Sequence, residues 1–253
     1  MPTMTTKQAA LLAAVGTILR FFVQLMPSSW SLMTPGVWHD PGSVLFVLFI
    51  FLPSTILMAA LPVFFVCVYW NEPPLVIPER LRRPALVAVI ATGLSGAQTT
   101  FRVIRDSISS WGTEGYPSMR ESHSLQFWQW PLSVLTAVFG AIVVPLFFYT
   151  ISRSSAEAKP VEPRLKKAAI YAGLSVVAGA AATLYSRAST EIFMSTHQAL
   201  LAARGGAPGP GLWYRILQAA LALFSSASLA WFFFLFYKKV PTTRSSPRLS
   251  YSG

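Results

Sequence analysis

The chain has 253 residues, of which 53% are hydrophobic and only 11% are charged, and its formal net charge is +11. Soluble domains carry about 25% charged residues, so this chain has too few to cover a water-facing surface. The composition therefore argues against a soluble enzyme and against a basic nucleic-acid-binding domain. It predicts an all-α, polytopic integral membrane protein whose solvent is the lipid bilayer.

Six apolar segments follow one another, and each is long enough for a helix that crosses the roughly 30 Å hydrocarbon core of a bilayer. The fourth is the clearest, because 131–151 contains no charged residue and is preceded by Trp128 and Trp130. The first is interpreted as a span and not as a signal peptide, because it contains Arg20 and lacks a small-x-small cleavage site. The predicted spans of this single membrane domain (1–253) are approximately 8–26, 44–70, 85–108, 131–151, 165–188 and 212–237.

Positively charged residues collect on one side of this six-span topology, together with both chain termini. The positive-inside rule makes that side cytoplasmic, which predicts a plasma-membrane or inner-membrane type protein with both ends in the cytoplasm. The basic tail 239–253 is predicted to be disordered. The cations either contact anionic lipid headgroups or act only as topology signals. They are Lys7, Arg80, Arg82, Arg83, Arg153, Lys159, Arg164, Lys166, Lys167, Lys238, Lys239, Arg244 and Arg248.

A threefold internal similarity runs through the chain. On the first, third and fifth segments an arginine is followed four residues later by a polar or acidic residue, in the pairs Arg20/Gln24, Arg102/Asp106 and Arg187/Glu191. On the partner segments, 61–65 (LPVFF) aligns with 144–148 (VPLFF), and 230–234 (AWFFF) is a weaker third copy. The pattern predicts three helical hairpins in a pseudo-threefold bundle.

The three arginine pairs are the first candidate binding residues, because each pair shares one helix face. An arginine in the middle of a bilayer costs about 2.5–3.5 kcal/mol even on lenient scales, so it usually faces protein or water. The three guanidinium groups either form a ring that binds an anion or pair locally and reach the headgroups. Arg20 lies only 13 residues after Lys7 and is the best candidate for a buried functional charge.

The only three histidines, His39, His123 and His197, each fall in a predicted loop on the side opposite the termini, His123 in the polar segment 112–129. Three imidazoles could ligate a metal or haem iron, but these positions are not equivalent in the repeat, and isolated loop histidines mostly face solvent. No zinc-binding, nucleotide-binding or hydrolase motif occurs. The sequence therefore indicates no cofactor and favours a protein that is not an enzyme.

Three functional readings remain open. The first is a non-catalytic structural or accessory subunit or scaffold of a larger membrane assembly, favoured by small-residue helix faces and by the absence of any site motif; the small residues of the fifth segment are expected to place it inside the bundle. The second is a transporter or channel for a small anion, with Arg20, Arg102 and Arg187 along its path. The third is a histidine-ligated metal or haem subunit. The expected partners are the lipid bilayer and other membrane subunits.

Overall fold

The structure, a computed structural model, describes residues 4–25, 41–70, 81–111, 119–153, 162–196 and 212–239, and this part of the chain contains six long helices and no strand. All six are long and apolar enough to cross a membrane, which confirms the coarse prediction of an all-helical chain with six candidate spans. The helices are α1 Thr6–Leu25, α2 Pro41–Trp70, α3 Arg82–Trp111, α4 Met119–Arg153, α5 Pro163–Thr196 and α6 Leu212–Lys239.

Most of the helices extend beyond the apolar segments read from the sequence. The largest difference is in α4, which begins at Met119, so the polar segment read as a loop as far as Gln129 is helical over its second half. The segment 119–129 contains good helix formers and neither glycine nor proline, so the backbone has no reason to leave the helix there. The predicted tail beyond Lys239 lies outside the described residues.

The first helix begins with a capping box. Thr5 Oγ1 accepts a hydrogen bond from the Gln8 backbone N at 3.2 Å, and Gln8 Oε1 accepts one from the Thr5 backbone N at 2.9 Å. Two backbone N–H groups at the start of α1 therefore have side-chain partners.

Each helix packs mainly against its two neighbours in the chain, and α6 packs against α1, so the six helices form a closed ring. One end of the ring holds the starts of α1, α3 and α5 and the ends of α2, α4 and α6. There Lys7 Nζ lies 5.1 Å from the centre of the Tyr237 ring, and Lys239 pairs with Glu162 at 3.2 Å. We call this the basic end and the opposite one the distal end.

Phenylalanine side chains from the three even-numbered helices fill the middle of the ring. Within each pair the rings lie edge to face, at 5.4 Å in α2, 5.6 Å in α4 and 5.3 Å in α6. The second ring of each helix also contacts the first ring of the next even helix, at 4.9, 4.8 and 5.0 Å. We call these six fully buried residues the phenylalanine collar: Phe64, Phe65, Phe147, Phe148, Phe232 and Phe233.

The odd-numbered helices approach the collar through small side chains. Alanines on α1, α3 and α5 are completely buried, among them Ala13, Ala88 and Ala172. Among the described glycines, Gly16 of α1 lies closest to a neighbouring helix, because a Cβ there would lie 3.0 Å from Ile56 Cγ2 and 3.2 Å from the Leu57 backbone N. The small-residue face predicted for the fifth segment is thus used for contacts inside this chain.

On α3, α4, α5 and α6 the buried residues are concentrated toward the basic end, whereas on α1 they extend as far as Val23. On α3 and α5, which begin at the basic end, the last buried residues among the described side chains are Ala91 and Ser175. On α4 and α6, which end there, the first buried residues among the described side chains are Thr136 and Ser226. The opposite, outer faces carry exposed apolar side chains throughout, such as Leu135 and Ile142 on α4. Such an apolar exterior is typical of a helix bundle that contacts lipid.

Candidate functional site

The inner face of α1 changes character along its length. Each of residues 13, 16, 17, 20 and 24 lies three or four positions from at least one other member of this set, so they share one face of the helix. Ala13, Gly16 and Thr17 are buried there, whereas Arg20, one turn further toward the distal end, is exposed. The outer face of α1 consists of exposed apolar residues such as Val15 and Phe22. The charge of α1 therefore lies on the same helix face as the buried residues, and part of its side chain is accessible.

Gln24 connects this arginine to the last helix. In the amide orientation that satisfies its neighbours, Gln24 Nε2 donates to Ser226 Oγ at 2.9 Å and to the Ala222 carbonyl oxygen at 3.1 Å. Gln24 Oε1 then accepts a hydrogen bond from Arg20 Nε at 3.3 Å. The amide is fixed by two donor contacts to α6, so it holds one edge of the guanidinium group in place.

Glycines on the inner faces of α4 and α5 also border open space. Gly140 lies one turn from buried Thr136 and one turn from buried Val144, so it shares their inner face. Gly179 bears the same relation to buried Ser175 on α5. No described atom lies within 4 Å of a Cβ placed at either glycine. Both positions belong to the distal half of the ring, where buried positions become few.

A second polar contact joins α3 to α4 in the same half. Thr136 Oγ1 donates to Gln98 Oε1 at 2.7 Å and also lies 2.8 Å from the Leu132 carbonyl oxygen of its own helix. This contact and the Gln24–Ser226 contact each join two neighbouring helices of the ring through polar side chains. We group under the name distal vestibule the residues that lie on inner faces or join neighbouring helices in this half of the ring: Arg20, Gln24, Gln98, Thr136, Gly140, Gly179 and Ser226. In the function proposed below they border one common space.

The other predicted site residues are only partly described. Arg102 and Asp106 lie in α3, and Arg187 and Glu191 lie in α5, so the four-residue spacing of each pair falls within a continuous helix. Their side chains lie outside the described part of the structure, and whether the three arginines converge stays a prediction.

The predicted histidine site falls outside the described residues in the same way. His39 and His197 are not among the described residues, and His123 lies in α4 with its side chain outside the description. Within the described part of the chain no three His, Cys, Asp or Glu side chains come together as metal ligands would. The metal hypothesis stays a prediction.

Sequence reasoning did not find the residues that surround Arg20. Ser226 lies 202 positions from Gln24, so no local spacing connects them. The signal that could have been used is the polar run 225–228 (SSAS) inside an otherwise apolar span.

The chain matches no protein-family model, and no curated protein or solved structure is significantly similar to it.

Proposed function

We propose that this protein is a non-catalytic integral membrane protein whose six-helix ring encloses a path for a small solute, as in a transporter or channel. In this proposal the helices cross the bilayer, and the cation-rich basic end, with both termini, faces the cytoplasm. The solute enters the distal vestibule; the phenylalanine collar closes the path in the arrangement described above and must open for the solute to pass.

The observation that supports this proposal best is the change along the axis of the ring. Near the basic end six phenylalanine rings fill the centre and are almost completely buried. Toward the distal end, inner-face positions are occupied by an exposed arginine and by glycines that border open space. A hydrophobic constriction below a polar, open entrance is an arrangement by which membrane pathways close.

We also propose that the bundle is pseudo-threefold and composed of three hairpins. The ring contacts support this, because they repeat from α2 to α4, from α4 to α6 and from α6 to α2 within 0.2 Å, between 4.8 and 5.0 Å. They favour Phe232 and Phe233 as the counterparts of Phe64 and Phe65, one residue earlier than the alignment of 230–234 implies. Phe234, the last residue of that alignment, is 50% exposed.

The accessory-subunit hypothesis is the untested alternative, and the packing bears on one of its two motives, the small-residue helix faces. Ala168, Ala169 and Ala172 are fully or almost fully buried, and a Cβ at Gly173 would lie 3.4 Å from Phe148 Cβ. These small residues serve contacts between helices of the same chain, so they offer no separate face for another subunit. Purification of the protein together with stoichiometric partners would favour the accessory-subunit hypothesis.

Flux through reconstituted liposomes tests the proposed pathway. We expect the wild-type protein to pass small anions, and we expect Gly140→Trp to reduce this flux at least tenfold, because the indole would occupy the vestibule. The matched control is Gly93→Trp, since Gly93 also borders open space but lies on the outer face of α3 with exposed Ile90. Equal flux in both variants, or no flux above protein-free liposomes for the wild type, would reject the pathway.

A further inference from the structure

Arg20 has more hydrogen-bonding capacity than its neighbours use. Its Nε donates to Gln24 Oε1 at 3.3 Å, and the acceptor is a neutral amide. Among the described residues no carboxylate pairs with it, and no acceptor contacts its two terminal nitrogens. By contrast, Lys239 at the basic end has a carboxylate partner in Glu162. The inner face of α1 thus carries a full positive charge without a counter-charge from the described residues.

The position of Arg20 makes that charge costly unless something compensates it. Arg20 lies 14 residues after the first residue of α1, or about 21 Å along the helix. An ionised side chain at such a depth in an apolar bundle normally faces water or a partner ion. The exposed side chain of Arg20 is accessible to either.

We propose that Arg20, held by Gln24 and Ser226, is a binding site for a small oxyanion such as a carboxylate, nitrate or phosphate. This inference rests on the pathway proposed above and names the class of solute that its vestibule accepts. Gln24 occupies the Nε edge of the guanidinium group, which leaves the edge formed by the two Nη groups for the ligand. That edge binds two oxygens of one planar oxyanion with parallel hydrogen bonds.

Equilibrium dialysis of the purified protein in mild detergent with ¹⁴C-acetate tests the site, with nitrate, phosphate and chloride as competitors. We expect saturable acetate binding, with nitrate and phosphate displacing it better than chloride at equal ionic strength. Arg20→Gln should raise the Kd about tenfold or more, because it removes two charged hydrogen bonds. Arg20→Lys should fall between, since it keeps the charge and loses the two-point geometry.

Arg83→Gln is the matched control, because Arg83 is an exposed arginine at the basic end and its removal lowers the net charge equally. Its Kd should equal that of the wild type. Thermal melts of all variants confirm that the proteins are folded. Wild-type affinity in Arg20→Gln, equal weakening in Arg83→Gln, or no saturable oxyanion binding by the wild type would overturn the proposal.

The source of the oxyanion is decided by native mass spectrometry of the protein extracted from membranes. An anionic phospholipid that is retained by the wild type and lost from Arg20→Gln would assign the site to a headgroup phosphate. Displaceable acetate without retained lipid would assign it to a soluble anion. Binding without liposome flux would keep the site and remove the pathway, whereas flux that is unchanged by Arg20→Gln would keep the pathway and remove the site.

Discussion

Phe64→Ala is expected to lower the free energy of unfolding by about 3–5 kcal/mol, the usual cost of truncating a fully buried phenylalanine. Phe64 is the most connected ring of the collar. Its centroid lies 5.0 Å from Phe233, 5.1 Å from Phe236 and 6.2 Å from Phe147. The alanine variant leaves a cavity at the point where α2, α4 and α6 meet. Thermal or chemical unfolding in detergent measures the loss.

The Phe64→Ala variant is also expected to let ions pass through the bilayer more readily than the wild type does. The collar closes the centre of the ring in the proposed pathway, so a missing ring at Phe64 should raise passive ion flux through liposomes at least tenfold. Phe234→Ala is the matched control, because Phe234 is the same residue type on α6 but is 50% exposed on the outer face. It should cost less than about 1 kcal/mol and cause no leak. If Phe64→Ala kept the wild-type free energy of unfolding and the wild-type ion flux, the proposal that the collar closes the path would be contradicted.

Gly16→Leu is expected to have the second largest effect. Even a Cβ at this position lies 3.0 Å from Ile56 Cγ2 and 3.2 Å from the Leu57 backbone N, closer than real Cβ atoms normally come. A leucine therefore forces α1 away from α2, at a cost of about 1–3 kcal/mol or more. The backbone atom of Leu57 cannot move aside as a side chain would. A melting temperature well below that of the wild type is the expected result.

Gly140→Ala is expected to raise the stability of the protein, in contrast to Gly16→Leu. No described atom lies within 4 Å of its Cβ, so the alanine meets no obstacle and removes a glycine from the interior of a helix. Replacing glycine by alanine there should stabilise the protein by up to about 1 kcal/mol. If Gly16→Leu and Gly140→Ala changed the melting temperature equally, the packing of α1 against α2 would be described wrongly.

Much of the helical architecture follows from segment length and apolar content. A run such as 131–151 without charge can satisfy its backbone in lipid only as a helix, and the structure has a helix there. The ends of the helices were predicted less accurately than the spans. Trp128 and Trp130 indicate a membrane interface, but an interface does not end a helix, and α4 continues to Met119. Apolar content locates the bilayer crossing, whereas the helix ends only where the backbone hydrogen bonds end.

The candidate site could be predicted only in part, because its contacts join distant segments. The spacing of Arg20 and Gln24 on one face is visible in the sequence, and in the Gln24 amide orientation that satisfies its neighbours Arg20 Nε donates to Gln24 Oε1 at 3.3 Å. The contact of Gln24 with Ser226 depends on α6 closing the ring against α1, which no local pattern encodes. All six collar phenylalanines lie in the aligned segments 61–65, 144–148 and 230–234. Its register in α6 depends on which faces pack inward, so Phe232 is buried and Phe234 is not.

The most direct test of the central claim is the chemical accessibility of the vestibule. Gly140→Cys and Gly179→Cys, each in a Cys67→Ser background, would be treated with a membrane-impermeant methanethiosulfonate in sealed cells and in inverted vesicles. We predict modification from the distal side alone, which the proposed topology places opposite the cytoplasm, with Gly93→Cys unmodified from either side because the outer face would contact lipid. Inert thiols at both inner positions, or modification from the basic side, would contradict an entrance that opens distally above a closed collar.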